Sequence, residues 1–216
     1  MNPRHDDPPA SGGTSGRRDG PTLTVPARAP EPRRHRFGGT WWGTAWLAAL
    51  ETQAELDPNR LPRGRTYARN GAVGDTVLRP GGAEARVRGR RPEPYRVRVA
   101  VTAFDDAQWD RILDAVAGQV GHAAALLDGE FPPEVDEDVR RTGLSLLPGP
   151  HEVTVSCSCP DRAVPCKHAA AVCYVLCDVL DADPFALLLL RGRGRAELLD
   201  ELRARRGAGT AGPPPA

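Results

Sequence analysis

The sequence predicts an α+β protein: a small antiparallel sheet with helices, followed by a C-terminal strand-helix unit built around a cluster of metal-type ligands. Three observations carry that prediction. Apolar and charged residues alternate with period two through Ala83, Ala85 and Val87 and again through Tyr95, Val97, Val99 and Val101, the pattern of half-buried strands. Apolar residues recur at helical spacing through Trp109, Ile112, Leu113, Val116 and Val120, and run continuously apolar and Ala-rich from Ala169. All five cysteines fall between Val153 and Leu180.

The 216 residues, 40% hydrophobic and 26% charged, suffice for one or two modest domains with real cores. The longest apolar runs, Ala169 to Leu176 and Phe185 to Leu190, fall well short of the roughly 18 to 20 residues that cross a bilayer. No charged and apolar secretory leader opens the chain, so no membrane partner and a cytoplasmic location are the expectation. The net charge of +1 hides a segregation. From Arg60 to Arg98 eleven arginines stand against Asp75, Glu84 and Glu93, whereas from Asp105 to Asp138 ten acids stand against Arg111. Lys167 is the sole lysine.

In chain order, residues 1–35 are rich in Pro, Gly, Asp and Arg and read as a disordered tail, with His5 and His35 as solvated residues. Residues 36–104 hold a helix and a basic antiparallel sheet. Trp42, Trp46, Ala49 and Leu50 recur at helical intervals from Thr40 to about Gln53, with Trp42 and Trp46 as core anchors and Trp41 off their face. Residues 65 to 101 read as strands, with Asn70-Gly71 and Pro80-Gly81-Gly82 as turns. If Val87 faces Val97, Arg88 lies opposite Arg96 and Arg86 opposite Arg98. Like charges so placed cost up to about 1 kcal/mol per pair unless something acidic covers them. Two readings are open: a nucleic-acid backbone, which arginine forks suit, or the acidic segment 105–143 folded back over the sheet. That segment starts at an N-cap, Asp105 or Asp106, and breaks at Phe131-Pro132-Pro133. His122 and His151 are poor candidates for ligands.

Residues 144–182 carry the cluster. Cys157 and Cys159 flank one residue, and seven positions beyond Cys159 come Cys166 and then His168. In an extended segment residues two apart point to one side, so a strand through Ser156 aims both thiols at one point. Pro160-Asp161 turns the chain and a helix starts at Cys166 and His168. Three thiolates and one imidazole are a closed tetrahedral zinc set, and thiolates select Zn2+ over magnesium or calcium. Arg162 and Lys167 balance its charge. A disulfide framework fits poorly with an odd cysteine count. Cys173 and Cys177, four apart on one helix face, read as core packing. Residues 183–206 form two further helices, capped by Asp183-Pro184 and separated by Arg191-Gly192-Arg193-Gly194-Arg195. Residues 207–216 are a second disordered tail.

Cys157, Cys159, Cys166 and His168 resemble, position for position, the SWIM zinc finger. The stretches TWWGTAWLAALE, RLPRGRTYARNG and Pro92 to Tyr95, and the region after the finger helix, are similar to bacterial proteins that carry this finger, over roughly residues 35 to 206. The resemblance implies a zinc-binding domain serving DNA or protein interaction, in chains often associated with Swi/Snf-type helicases.

Phosphate-loop, dinucleotide and H-E-x-x-H motifs are missing, and four protein ligands close the metal shell, so the expectation is a structural zinc and no enzymatic activity. The leading function is an accessory module binding DNA or RNA through Arg86, Arg88, Arg96 and Arg98, with Arg191, Arg193 and Arg195 as further phosphate contacts. The alternative is a protein-interaction adaptor, by resemblance for a Swi/Snf-type helicase.

Overall fold

The computed structural model describes residues 20–30, 35–53, 60–149 and 151–210. His5 and residues 211–216 lie outside them. Five antiparallel strands, β1 (Leu23–Val25), β2 (Val73–Arg79), β3 (Gly82–Val87), β4 (Tyr95–Val101) and β5 (Val153–Cys157), form one sheet in the order β1-β2-β3-β4-β5. The helices are α1 (Trp41–Gln53), α2 (Arg60–Arg69), α3 (Asp106–Ala117), α4 (Val120–Leu127), α5 (Pro133–Arg141), α6 (Lys167–Ala182), α7 (Phe185–Leu190) and α8 (Arg195–Thr210). The class is α+β, as predicted.

Alternation decides which side of the sheet is covered. Ala83, Ala85, Val87, Val97, Val99 and Val101 are buried and face α6, the central helix. Every residue from His168 to Leu180 is buried, because α6 is flanked by the sheet on one side, by α1 and α2 elsewhere, and by α7. Trp46 donates its indole N–H to the Cys173 carbonyl and Trp42 donates to the Leu180 carbonyl. Trp41, expected off the core face, stacks on Phe131 with the rings 5.7 Å apart. Cys173 and Cys177 are buried in the core, and burial pushes both thiols up to about 12. A second helical layer joins α3, α4, α5, α7 and α8. Its first helix is N-capped by Asp105, whose carboxylate and the Gln108 side chain close a capping box.

Several expectations change. Residues 65–69, expected to begin the strands, belong to helix α2, and Asn70-Gly71 ends that helix, with Gly71 at φ +61°. Tertiary packing outweighs the local pattern here: Gly64 lets α2 approach α6 so closely that a Cβ would lie 2.4 Å from that of Ala170. Within the expected N-terminal tail, Leu23–Val25 pairs with β2, and His35 is held 2.9 Å from the buried Asp178 carboxylate rather than solvated. In the expected C-terminal tail, α8 continues to Thr210. Segments 36–104 and 144–182 share a single sheet through the β4–β5 pairing.

The β3–β4 register is two residues away from the one expected. Val87 faces Tyr95, Arg86 faces Arg96, and Arg98 faces Glu84, whose carboxylate lies 3.4 Å away. The acidic helices do not lie over this face. Asp106 of α3 pairs with Arg193, and Asp110 and Asp114 pair with Arg205, so the acidic block answers the C-terminal arginines.

Candidate metal centre and arginine face

The metal-type cluster forms where β5 ends and α6 begins. Cys157 is the last residue of β5, opposite Val97, and Cys159 follows on the turn. The loop returns through a cis Val164–Pro165 bond to Cys166, the N-cap of α6, whose sulfur accepts the Ala169 N–H at 3.5 Å. His168 sits in the first turn. A helix N-terminus carries a partial positive charge, which favours the thiolate form of the sulfur placed there.

The four ligand atoms lie within 4.8 Å of one another. His168 Nδ1 stands 4.0 Å from Cys157 Sγ and 3.9 Å from Cys166 Sγ. A tetrahedral ion with metal–sulfur bonds of about 2.3 Å needs donor separations of about 3.5 to 3.8 Å. The donor set therefore fits a tetrahedral ion after contraction of a few tenths of an ångström to about an ångström. Burial acts the other way from the helix terminus, raising the Cys157 and Cys166 thiols, and together with the Lys167 charge it lowers the His168 imidazole.

The imidazole is positioned by rings. Tyr95 lies 4.6 Å from His168 at 34°, and Tyr67 lies edge-on at 5.4 Å. Its Nε2 is buried without a hydrogen-bond partner among the described residues. Gly89 makes room, because a Cβ there would lie 2.4 Å from the Tyr95 ring and 3.2 Å from His168 Nε2. The sequence alternation placed Tyr95 inward but gave no sign that it and Tyr67 bracket the imidazole.

The arginines separate into two groups. Arg86, Arg88, Arg96 and Arg98 are exposed on the open face of the sheet, although Arg88 also donates to the Gly71 carbonyl. Arg191 and Arg193 are not surface contacts. Arg191 is 1% exposed and its guanidinium is saturated by the carbonyls of Leu146, Thr102 and Ser145 and by Glu152. Arg193 is enclosed by Glu197, Glu201 and Asp106. Both are captured because the loop between α7 and α8 packs under α3, where the Arg191 carbonyl accepts the Trp109 indole N–H. Arg195 is exposed, over the Phe185 ring. His122 pairs with Asp138, and His151 is exposed, outside the cluster.

A strand-to-helix knuckle presenting three thiols and one imidazole inward defines a zinc-finger-type metal centre embedded in an α+β core. The chain carries a SWIM zinc finger: residues 138–177 match that family's pattern. It is also similar to an uncharacterized protein of Mycobacterium tuberculosis (strain ATCC 25618 / H37Rv), Rv2102, with 44% identity over 179 residues, which is 82% of this chain and 64% of that protein. The chain thus spans less than two thirds of this relative's length. No solved structure matches.

Proposed function

We propose that the ion is Zn2+, bound by Cys157, Cys159, Cys166 and His168 in a structural role, and that the chain is an accessory module binding nucleic acid through the open face of its sheet. Three sulfurs and one imidazole nitrogen suit zinc, and four protein ligands leave no open coordination position, which favours a non-enzymatic role. One observation carries the nucleic-acid reading: Arg86 faces Arg96 on an exposed surface, and among the described residues no carboxylate pairs with either. Such a pairing is unfavourable in isolation and becomes favourable against phosphates. The adaptor alternative draws less support, since Val120 and Val164 are the large hydrophobic residues exposed among the described ones.

The test combines metal analysis with binding. Purified protein should contain one equivalent of zinc, lost on Cys157→Ser. Binding to mixed nucleic acid should fall steeply with salt and weaken for Arg86→Gln and Arg96→Gln. Binding that is absent at low salt sinks the nucleic-acid reading.

A further inference from the structure

The open face of the sheet is laid out in rows. Thr24, Val77, Glu84, Arg98 and Ser156 are successive cross-strand partners. Beside them Arg86 faces Arg96, and Ser158 of the metal knuckle donates its backbone N–H to the Arg96 carbonyl while its hydroxyl accepts the Arg96 N–H. Thr154, Ser156 and Ser158 are exposed along the β5 margin, so hydroxyls border the arginines. At the β2–β3 turn a depression of about 330 Å³ is lined by Arg79, Arg98, Glu84 and the Gly81-Gly82 backbone. Arg79 is exposed and, among the described residues, has no carboxylate partner.

The same face lacks aromatic rings. Every Trp, Tyr and Phe of the chain lies within the described residues, and none is exposed. Tyr95, the aromatic residue on β4, points inward to His168. Stacking supplies about 1–3 kcal/mol per base in proteins that hold single strands, and none of that is on offer here. What remains is charge, and duplex DNA presents one phosphate charge per about 1.7 Å of axis. The carboxylates on the face are bonded, Glu84 to Arg98 and Asp75 to the Ala27 N–H, so among the described residues the surface offers mainly donors suited to phosphate oxygens rather than acceptors for the 2′-hydroxyls by which RNA is distinguished.

Resting on the nucleic-acid reading above, we propose that the sheet face binds the backbone of duplex DNA without reading base sequence, and that the depression between Arg79 and Arg98 seats a phosphate. Arg79 and Glu84 then join the site, with Glu84 competing against phosphate for Arg98.

The experiment uses the zinc-loaded full chain with labelled duplex DNA of two unrelated sequences, the matching single strands, and duplex RNA, each over a salt series. Both DNA duplexes should bind equally and about tenfold more tightly than either single strand. Arg79→Gln should weaken duplex binding for both sequences and lower the magnitude of the salt slope by about one, whereas Glu84→Gln should strengthen it with the thermal stability unchanged. Single strands bound as tightly as duplex, or duplex RNA bound more tightly than DNA, overturn this proposal while the broader reading stands. Wild-type binding with an unaltered salt slope in Arg79→Gln removes the phosphate seat. Absence of all binding defeats the nucleic-acid reading itself.

Discussion

Single residues decide whether the metal centre holds its shape. The four candidate ligands were legible in the sequence as a group because their spacing is short and local, and the structure brings them together. The residues that aim them were not, because Tyr67 and Tyr95 come from a helix and a strand far away in the chain. The contact to His168 is through ring faces and edges, so Tyr95→Leu should lower zinc affinity by about tenfold or more while Tyr95→Phe stays near wild type, as read by competition with a chromogenic chelator. Arg191 illustrates the opposite failure. Its Arg-Gly-Arg context suggested an exposed phosphate contact, yet it is the most fully bonded cation among the described residues. Arg191→Met should cost about 3–5 kcal/mol, because Glu152 and three carbonyls lose their donor; chemical denaturation measures it. Burial raises Glu152, but the hydrogen bond from Arg191, that from the Gly149 N–H and the Arg191 charge outweigh it, leaving the carboxyl below its ordinary 4.5.

At the scale of elements, one helix organises the others through its acids as well as its apolar faces. Asp181 of α6 accepts the backbone N–H groups of Gly38, Gly39 and Thr40 and the Thr40 hydroxyl, pinning the segment before α1 and holding Thr40, whose hydroxyl caps the helix by accepting the Gly43 N–H. These bonds outweigh the burial that acts the other way, and hold the carboxyl below its ordinary 3.8. A lowered carboxylate stabilises the fold above its unfolded-state value and loses that contribution as pH falls through the folded one. Asp181→Ala should therefore cost about 1.5–3 kcal/mol near neutral pH, and its gap from wild type should narrow as unfolding is followed down from about pH 4. Gly64 in α2 tests packing against propensity. Alanine would gain about 1 kcal/mol in an exposed helix, but here its Cβ meets Ala170 at 2.4 Å and backbone at 3.0 Å, so Gly64→Ala should be net destabilising in thermal melts. Strands β3 and β4 were readable from alternation, whereas β1 is too short to show it, and α2 was not readable because a glycine and a proline inside ten residues weaken every local helical signal.

For the molecule as a whole, the metal centre is bolted to the main core rather than appended to it. Its two halves are the end of a sheet strand and the start of the central helix, buried from His168 to Leu180, so removing the ion should lower the stability of the entire chain. A chelator is expected to shift a single cooperative transition downward, with the circular dichroism of sheet and helix moving together; two separated transitions would show that the finger unfolds by itself. Charge segregation was visible in the sequence, but its destination was not. The basic and acidic blocks nearly balance, which made mutual cover plausible, and the acidic helix instead pairs with arginines near the C-terminus.

The order of strands conceals an uneven path through the chain. β2, β3 and β4 are joined by short turns, whereas β4 and β5 are separated by residues 102–152, which include three helices. The four ligands span residues 157–168. Closing a short loop is fast and costs less entropy than closing a long one, so an ion present from the start should gather the knuckle and the first turn of α6 before the last strand finds the sheet. Refolding with zinc in the buffer should then outpace refolding in which zinc is added late, making the metal a guide to folding order as well as a clamp on the finished protein.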